Sequence, residues 1–259
     1  INKIKNIEFF YDSNNLQNIL LSKNEIFKIP FKLSIKNDKF NKKIFSKFES
    51  SKIRLNIENE IDYDGNDIEG FLDILFVNKD TSLNYKIRKN SLDFVSKNNN
   101  TYNGTLDFKP FYLYANFNYD GLSTKNVLND DSILIDLIKS EILNSKNLNS
   151  NINFIVKDIT NIDELNNLNL KIEIQQGELF FSGSSIMWKD SLKISLNESL
   201  LDHDEKEINL NGKVLLEFYD LKKFYQTFQV KKTDRKDIKQ IQIDFVYNFM
   251  NKNISFDNV

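Results

Sequence analysis

The feature that most constrains this chain is a strict alternation of apolar and polar residues that returns along its whole length. Phe27, Ile29, Phe31, Leu33 and Ile35 are apolar, while Lys28, Lys32, Ser34 and Lys36 between them are polar. The scheme recurs in Ile53, Leu55, Ile57, Ile61 and Tyr63, in Leu168, Leu170, Ile172 and Ile174, in Leu192, Ile194 and Leu196, and in Ile241, Ile243, Phe245, Tyr247 and Phe249. A period of two puts these side chains on one sheet face and the Lys, Asn, Asp and Glu between them on the other. Strands with one wet face belong to antiparallel sheets, because parallel strands are buried on both faces and read as unbroken apolar runs.

The longest such stretch runs from Leu106 to Tyr119. Its apolar positions are even at Leu106 and Phe108, then odd at Phe111, Leu113, Ala115, Phe117 and Tyr119. Proline cannot donate to a ladder, so a bulge or edge kink at Pro110 is the predicted device for restoring the facing. A continuous strand of this length would reach on the order of 45 Å. Turns are predicted at Tyr63-Asp64-Gly65-Asn66, Lys97 to Asn100, Asp120-Gly121, Gln176-Gly177 and Asn211-Gly212, where Gly and Asn supply positive φ.

Three helices are expected. One spans Asp131 to Ser145, with Leu134, Leu137, Ile138 and Ile142 on one face, Leu128 nearby and Asp130 and Asp131 as caps. A short one starts near Thr160 or Asn161, with Glu164 placed for a capping box. The third covers Asp220 to Gln229, where Leu221, Phe224, Tyr225 and Phe228 form a stripe. The expected fold is therefore mainly β: a long antiparallel, curved amphipathic sheet, meander-like or an open sandwich, with two or three short helices. The polar segment Asn144 to Asn151 is the candidate linker between 1–147, ending in the amphipathic helix, and a β-rich 148–259, with one continuous unit as the alternative.

Composition narrows the function. Apolar content is 40% of 259 residues, yet 22 Phe and 10 Tyr are present, so the core is concentrated in large side chains. Net charge is −2, and the most basic run, Lys231, Lys232, Arg235, Lys236 and Lys239, is interrupted by Asp234 and Asp237. A nucleic-acid partner is not expected of such a balance. With no cysteine, disulfides, thiolate metal sites and cysteine nucleophiles are excluded. No run approaches the ~18 apolar residues of a membrane span. The chain starts at Ile1 and ends in the strand-like Ile254 to Val259, which reads as a piece of a longer protein whose anchor lies elsewhere.

Catalytic patterns are weak throughout. The lone histidine, His203, sits among Asp202, Asp204 and Glu205. Neighbours on a strand point to opposite faces, and no second histidine completes a zinc site. The carboxylate pairs Asp130–Asp131, Asp202–Asp204 and Glu205–Glu207 lie in polar stretches rather than across a cleft. Ser182-Gly183-Ser184-Ser185 lacks the pattern of a nucleophile elbow. No catalytic residue, metal or cofactor is assigned, and an enzyme is not expected. Trp188 is read as a core or rim residue, with a partner or membrane anchor as the other reading.

The apolar face is left as the working surface. Two stretches carry a resemblance: Leu168 to Leu200, with NLNLKIEIQQGELFFSGSSIMWKDSLKISL, and Ile208 to Val259, with INLNGKVLLEFYDLKKFYQTFQV and KQIQIDFVYNFMNKNISFDNV. In their rhythm of amphipathic strands, Gly-centred turn and short Asp-capped helix, they resemble the AsmA-like proteins of the Gram-negative envelope, relatives of the TamB-type bridge-like lipid-transfer proteins. The resemblance covers the C-terminal third well and the remainder in general pattern. It implies a periplasmic body anchored to the inner membrane by a segment outside this chain, with phospholipid acyl chains as partners and roles in lipid transport or outer-membrane biogenesis. The residues expected to line the face follow from alternation alone: Phe111, Leu113, Phe117, Ile172, Ile174, Ile243 and Phe245. A structural or adhesive β-sandwich without lipid is the second reading. An outer-membrane barrel is the third, disfavoured by the helices and by weak aromatic bracketing.

Overall fold

The structure is a computed structural model and describes residues 2–26, 28–64, 68–76, 79–97, 101–123, 146–160, 162–203 and 207–257. It is mainly β, with eighteen strands, one short α-helix and one 3-10 turn among the described residues. Every strand pair whose register is defined is antiparallel. The chain forms two compact units, the first built on Ile1–Ala115 and the second on the strand residues from Asn116 together with Lys146–Val259. The expected helix over Asp131 to Ser145 lies outside the described residues.

The first unit is a meander: β1 (Asn2–Asp12), β2 (Gln17–Ile26), β3 (Ile29–Asp38), β4 (Lys43–Ser50), β5 (Leu55–Asp62), β6 (Ile68–Phe76), β7 (Lys79–Ile87), β8 (Ser91–Ser96) and β9 (Tyr102–Phe108). Each pairs with the next. β10 (Phe111–Ser123) follows β9 and pairs with it. The stretch from Leu106 to Tyr119 is thus no continuous strand. Lys109 and Pro110 form a turn, and the parity change marks a reversal of direction rather than a bulge.

A repeated turn chemistry sets the registers. Asp12 accepts hydrogen bonds from the backbone N–H of Asn14 at 2.9 Å and of Asn15 at 3.2 Å, and from Asn15 Nδ2 at 2.8 Å. Asp38 does the same with Phe40 and Asn41, at 3.0, 3.0 and 2.8 Å. Asn248 accepts from the N–H of Met250 and Asn251 at 2.9 and 2.8 Å. In each case the following residue, Leu16, Lys42 or Lys252, takes a positive φ of 53°, 53° and 52°. The side chain holds the loop closed, so the chain enters αL at a non-glycine residue without splaying the strands.

These bonds favour the charged carboxylate. Side-chain and backbone donation from Asn15 holds Asp12 below the usual carboxylate range, and backbone N–H and side-chain donation from Asn41 does so for Asp38. A depressed folded-state pKa adds stability that is present above the ordinary value and lost as pH falls through the folded one. Asp38→Asn should keep the turn, as Asn248 does, and remove that share. Thermal melting from neutral pH to below about pH 4 should then show a shallower acid loss than the parent. An unchanged slope would dissociate Asp38 from the acid response.

The second unit continues with β11 (Ser150–Thr160), β12 (Leu165–Gln175), β13 (Glu178–Phe180), β14 (Ser185–Trp188), β15 (Leu192–His203), β16 (Ile208–Phe218), β17 (Gln240–Asn248) and β18 (Asn253–Asp257). β12 pairs with both β13 and β14, which in turn pair with β15. Between β11 and β12, Asp163 and Glu164 form a turn and no helix, a correction of the capping-box reading. Leu165 and Leu168 are drawn into the sheet opposite Trp188 and Val156, so the ladder takes these residues.

The third expected helix is present. α1 (Leu221–Thr227) is capped by Asp220, whose carboxylate accepts from Lys223 N–H at 2.9 Å. Of the predicted glycine turns, Gln176-Gly177 joins β12 to β13 with φ of 51° and 89°. Asn211-Gly212 and Asp120-Gly121 instead lie within β16 and β10. At Gly212 the missing side chain is needed by packing, since a Cβ there would lie 2.7 Å from Ser199 Cβ and 3.3 Å from the Phe245 ring.

Candidate functional site

Opposed residues on neighbouring strands share a face, so the registers show which side chains gather. In the second unit, one row runs Ile174, Leu179, Leu201, Leu210, Tyr247 and Ile254 across β12, β13, β15, β16, β17 and β18. A parallel row joins Ile186, Ile194, Leu216 and Ile241, and another joins Leu196, Val214 and Ile243. On the other side of β12, Leu170 and Ile172 face Phe154 and Ile152. Phe154 stacks on Phe117 with ring centroids 4.7 Å apart. The face is apolar from β10 to β18 except for Ser150, opposite Ile174, and Ser199, beside Gly212.

Two bulges keep it so. Asn167 in β12 has φ of 48° and sits between Leu165 and Leu168. Glu198 in β15 has φ of 47°, and the register shifts between Asn197 and Leu200. Each inserts residues that turn Leu168 and Leu201 onto the same face as their odd- or even-numbered neighbours. The opposite face is wet: Asn153 bonds to Asn116 at 3.0 Å, and Lys193 pairs with Glu217 at 3.7 Å.

Five of the seven expected lining residues share this face of the second unit. Ile174 and Phe245 are buried, at 3% and 4% exposure, while Phe117, Ile172 and Ile243 are half-buried. Phe111 and Leu113 belong to the first unit's part of β10, Phe111 exposed at 42% and Leu113 half-buried. Across the described residues the exposed large hydrophobics outnumber the buried ones.

The first unit has an apolar face of its own, with a feature that alternation did not foretell. Leu33, Phe48, Ile57 and Ile74 form one row, and Leu20, Ile35, Ser46, Asn59, Leu72 and Leu83 the next. Polar groups are thus embedded among the leucines. Asn59 donates to Ser46 Oγ at 3.1 Å and accepts from the Tyr85 hydroxyl at 2.7 Å. Nearby, Asn24 donates to Ser22 Oγ at 2.7 Å. Tyr85 reaches Asn59 by lying across Gly70, where a Cβ would be 2.1 Å from its ring, and burial raises its phenol pKa. The break in the alternation at Asn59, between Ile57 and Ile61, was the available signal.

The reverse face of the first unit carries ion pairs such as Lys47 with Glu49 and Glu58, both at 3.0 Å. A hollow of about 510 Å³ opens there between Gln17, Lys36, Phe45, Lys47 and Glu60. Its walls mix Lys36, Lys47, Glu58, Glu60 and Asp73 with the rings of Phe45 and Phe71, so it is a charge-rimmed hollow and not a purely apolar pocket.

The chain matches no family model, no curated protein and no solved structure.

The other sequence candidates fall apart or prove structural. His203 ends β15 opposite Ile208, and Asp204 and Glu205 lie outside the described residues, as do Asp130 and Asp131. No group of three metal-ligating side chains occurs among the described residues. Ser184 Oγ accepts from Lys171 N–H at 2.9 Å and donates to Lys171 O at 3.1 Å, and Ser182 Oγ accepts from Ser199 N–H at 3.0 Å. The Gly183 turn therefore laces β12 to β15. Trp188 sits against Phe228 and Phe224, with centroids 5.5 and 6.2 Å apart, at the end where α1 lies. No helix among the described residues is long and apolar enough to cross a membrane.

Proposed function

We propose that this chain is part of a lipid-handling protein of the AsmA-like kind, whose apolar sheet face shields phospholipid acyl chains on their way between membranes. The setting that goes with this reading is the periplasm, with an inner-membrane anchor outside the sequence. The observation that carries it is the continuous apolar face of the second unit, maintained across two bulges while most of its side chains stay only half-buried. Apolar patches of this extent are costly in water unless a partner covers them. An acyl chain is a fitting cover, because each methylene taken from water contributes about 0.8 kcal/mol and needs no directional partner. The polar side chains among these apolar rows are small and buried, Ser150 opposite Ile174 and Ser199 beside Gly212, so the surface offered to an acyl chain is built from the apolar residues.

A second reading, a structural or adhesive sandwich with a closed core, is favoured by one observation. Ile174, Leu179, Leu201 and Phe245 are buried within the protein itself. Phospholipid carried by the chain on purification from a bacterial envelope supports the first reading; a chain free of lipid supports the second.

A further inference from the structure

The connection between β16 and β17 gathers features that lie far apart in the sequence. Residues 219–239 hold seven cations and three carboxylates, in a chain whose net charge is −2. All seven, Lys222, Lys223, Lys231, Lys232, Arg235, Lys236 and Lys239, are exposed. Lys223 Nζ donates to Lys189 O at 2.8 Å, and Arg235 Nε to Val230 O at 3.0 Å, which fixes two of them. No carboxylate pairs with Lys222, Lys231, Lys232 or Lys239 among the described residues, whereas on the first unit's wet face Lys43 and Lys47 are matched with glutamates. Exposed cations left unpaired form a local positive field of the kind that acts on a partner.

Aromatic side chains stand in the same place. Tyr219 is 63% exposed and Phe228 59% exposed. Phe228 is held from behind by Phe224 and Trp188, with centroids 4.7 and 5.5 Å away, and Lys189 Nζ lies 5.4 Å from the Trp188 ring centroid. Phe224 also packs edge-on against Phe218 at 4.8 Å. The buried Tyr225 bonds Lys236 through its hydroxyl, which ties the basic segment to α1. Trp188 and Phe218 belong to the apolar face, so the cluster lies at its end. Exposed rings on a rigid support, ringed by long flexible cations, match the chemistry of a bilayer interface. The rings enter the headgroup boundary while the lysines meet anionic phosphates.

We propose that the α1 end of the second unit is a docking surface for an anionic phospholipid bilayer. The inference rests on the lipid-handling reading for its purpose, since docking here would bring the end of the apolar face to a membrane. Each cation near an anionic surface is worth about fivefold in binding. Raising the salt from about 0.1 to about 1 M shortens the Debye length from about 10 to about 3 Å and should release the chain.

The test is flotation of the whole chain with vesicles of equimolar phosphatidylglycerol and phosphatidylcholine, beside vesicles of phosphatidylcholine alone. Binding is expected to the first and not the second. Lys231→Glu with Lys232→Glu should weaken it at least tenfold and Phe228→Ser several-fold, with the circular dichroism unchanged. Equal binding to both vesicles, no binding to either, indifference to the double charge reversal, or tighter binding of a duplex oligonucleotide than of the vesicles would overturn the proposal. Lipid content of the unbound chain, measured in the same samples, reports on the apolar face separately: lipid without docking refutes only this surface, and docking without lipid only the face.

Discussion

Ile243→Glu is expected to strip the chain of bound phospholipid while its strands remain folded, and Phe245→Glu, two residues along the same strand, to unfold the second unit. The two side chains share one face, Ile243 opposite Val214 and Phe245 opposite Gly212. They differ in cover: Ile243 is half-buried, whereas Phe245 is 4% exposed against its neighbours. A carboxylate at Ile243 can turn its charge to water along the open part of the face, so the fold survives but the face no longer suits an acyl chain. At Phe245 the charge has no route to water and no partner, a cost of about 4 kcal/mol or more against a total stability on the order of 5–15 kcal/mol. Circular dichroism and extracted lipid, read together on both variants, check this. Unfolding by both would mean that the face is a closed core, which the sandwich reading requires.

A second large effect is expected at Gly70, in the first unit. Its position must stay bare because the Tyr85 ring lies where a Cβ would stand. Gly70→Ala should displace the ring and pull its hydroxyl from Asn59, leaving Asn59 short of a donor among leucines. Overpacking and the lost bond together are worth about 2–4 kcal/mol, a fall in melting temperature on the order of 10 °C for a unit of this size. Tyr85→Phe removes only the hydrogen bond and should cost about 1 kcal/mol. Melting curves of the three proteins give the comparison. If Gly70→Ala melts within a degree or two of the parent, about the resolution of a few tenths of a kcal/mol, the ring does not rest on the glycine.

The contrast between these residues shows how far a sequence of this kind can be read. Alternation alone placed β3, β5, β12, β15 and β17 and gave their apolar sides, because a period of two survives any tertiary context that leaves one face wet. The Asp-capped stripe at α1 was equally legible. What failed were features whose meaning depends on a neighbour. Asn211-Gly212 carries a turn signal, yet Gly212 lies in a strand, where Ser199 and the Phe245 ring leave no room for a Cβ. Pro110 reads as a kink until β10 is seen to run back along β9. The turns at Asp12, Asp38 and Asn248 contain no glycine, so their signal was the Asp or Asn followed three residues later by Asn. Thr160 to Glu164 has helix-capping residues, but the ladder claims Leu165 and Leu168 before a helix can form.

The candidate site was legible in the same unequal way. Five of the seven lining residues fall on one face of the second unit because period-two spacing carries facing directly. Asn167 and Glu198, which hold that face together across two bulges, leave no local pattern: a non-glycine residue in αL is set by the strands on either side. The meeting of Trp188 with Phe228 and the basic segment was beyond reach, since the two rings lie far apart in the chain and only the register of β14, β15 and β16 brings them to one end.

Whether the apolar face holds lipid is read out by native mass spectrometry of the chain purified from a bacterial envelope. A species heavier than the bare chain by the mass of one or more phospholipids is expected, released by collisional activation and absent from the Ile243→Glu variant. A parent chain that flies only at its bare mass, under conditions that preserve its fold, would contradict lipid binding by that face.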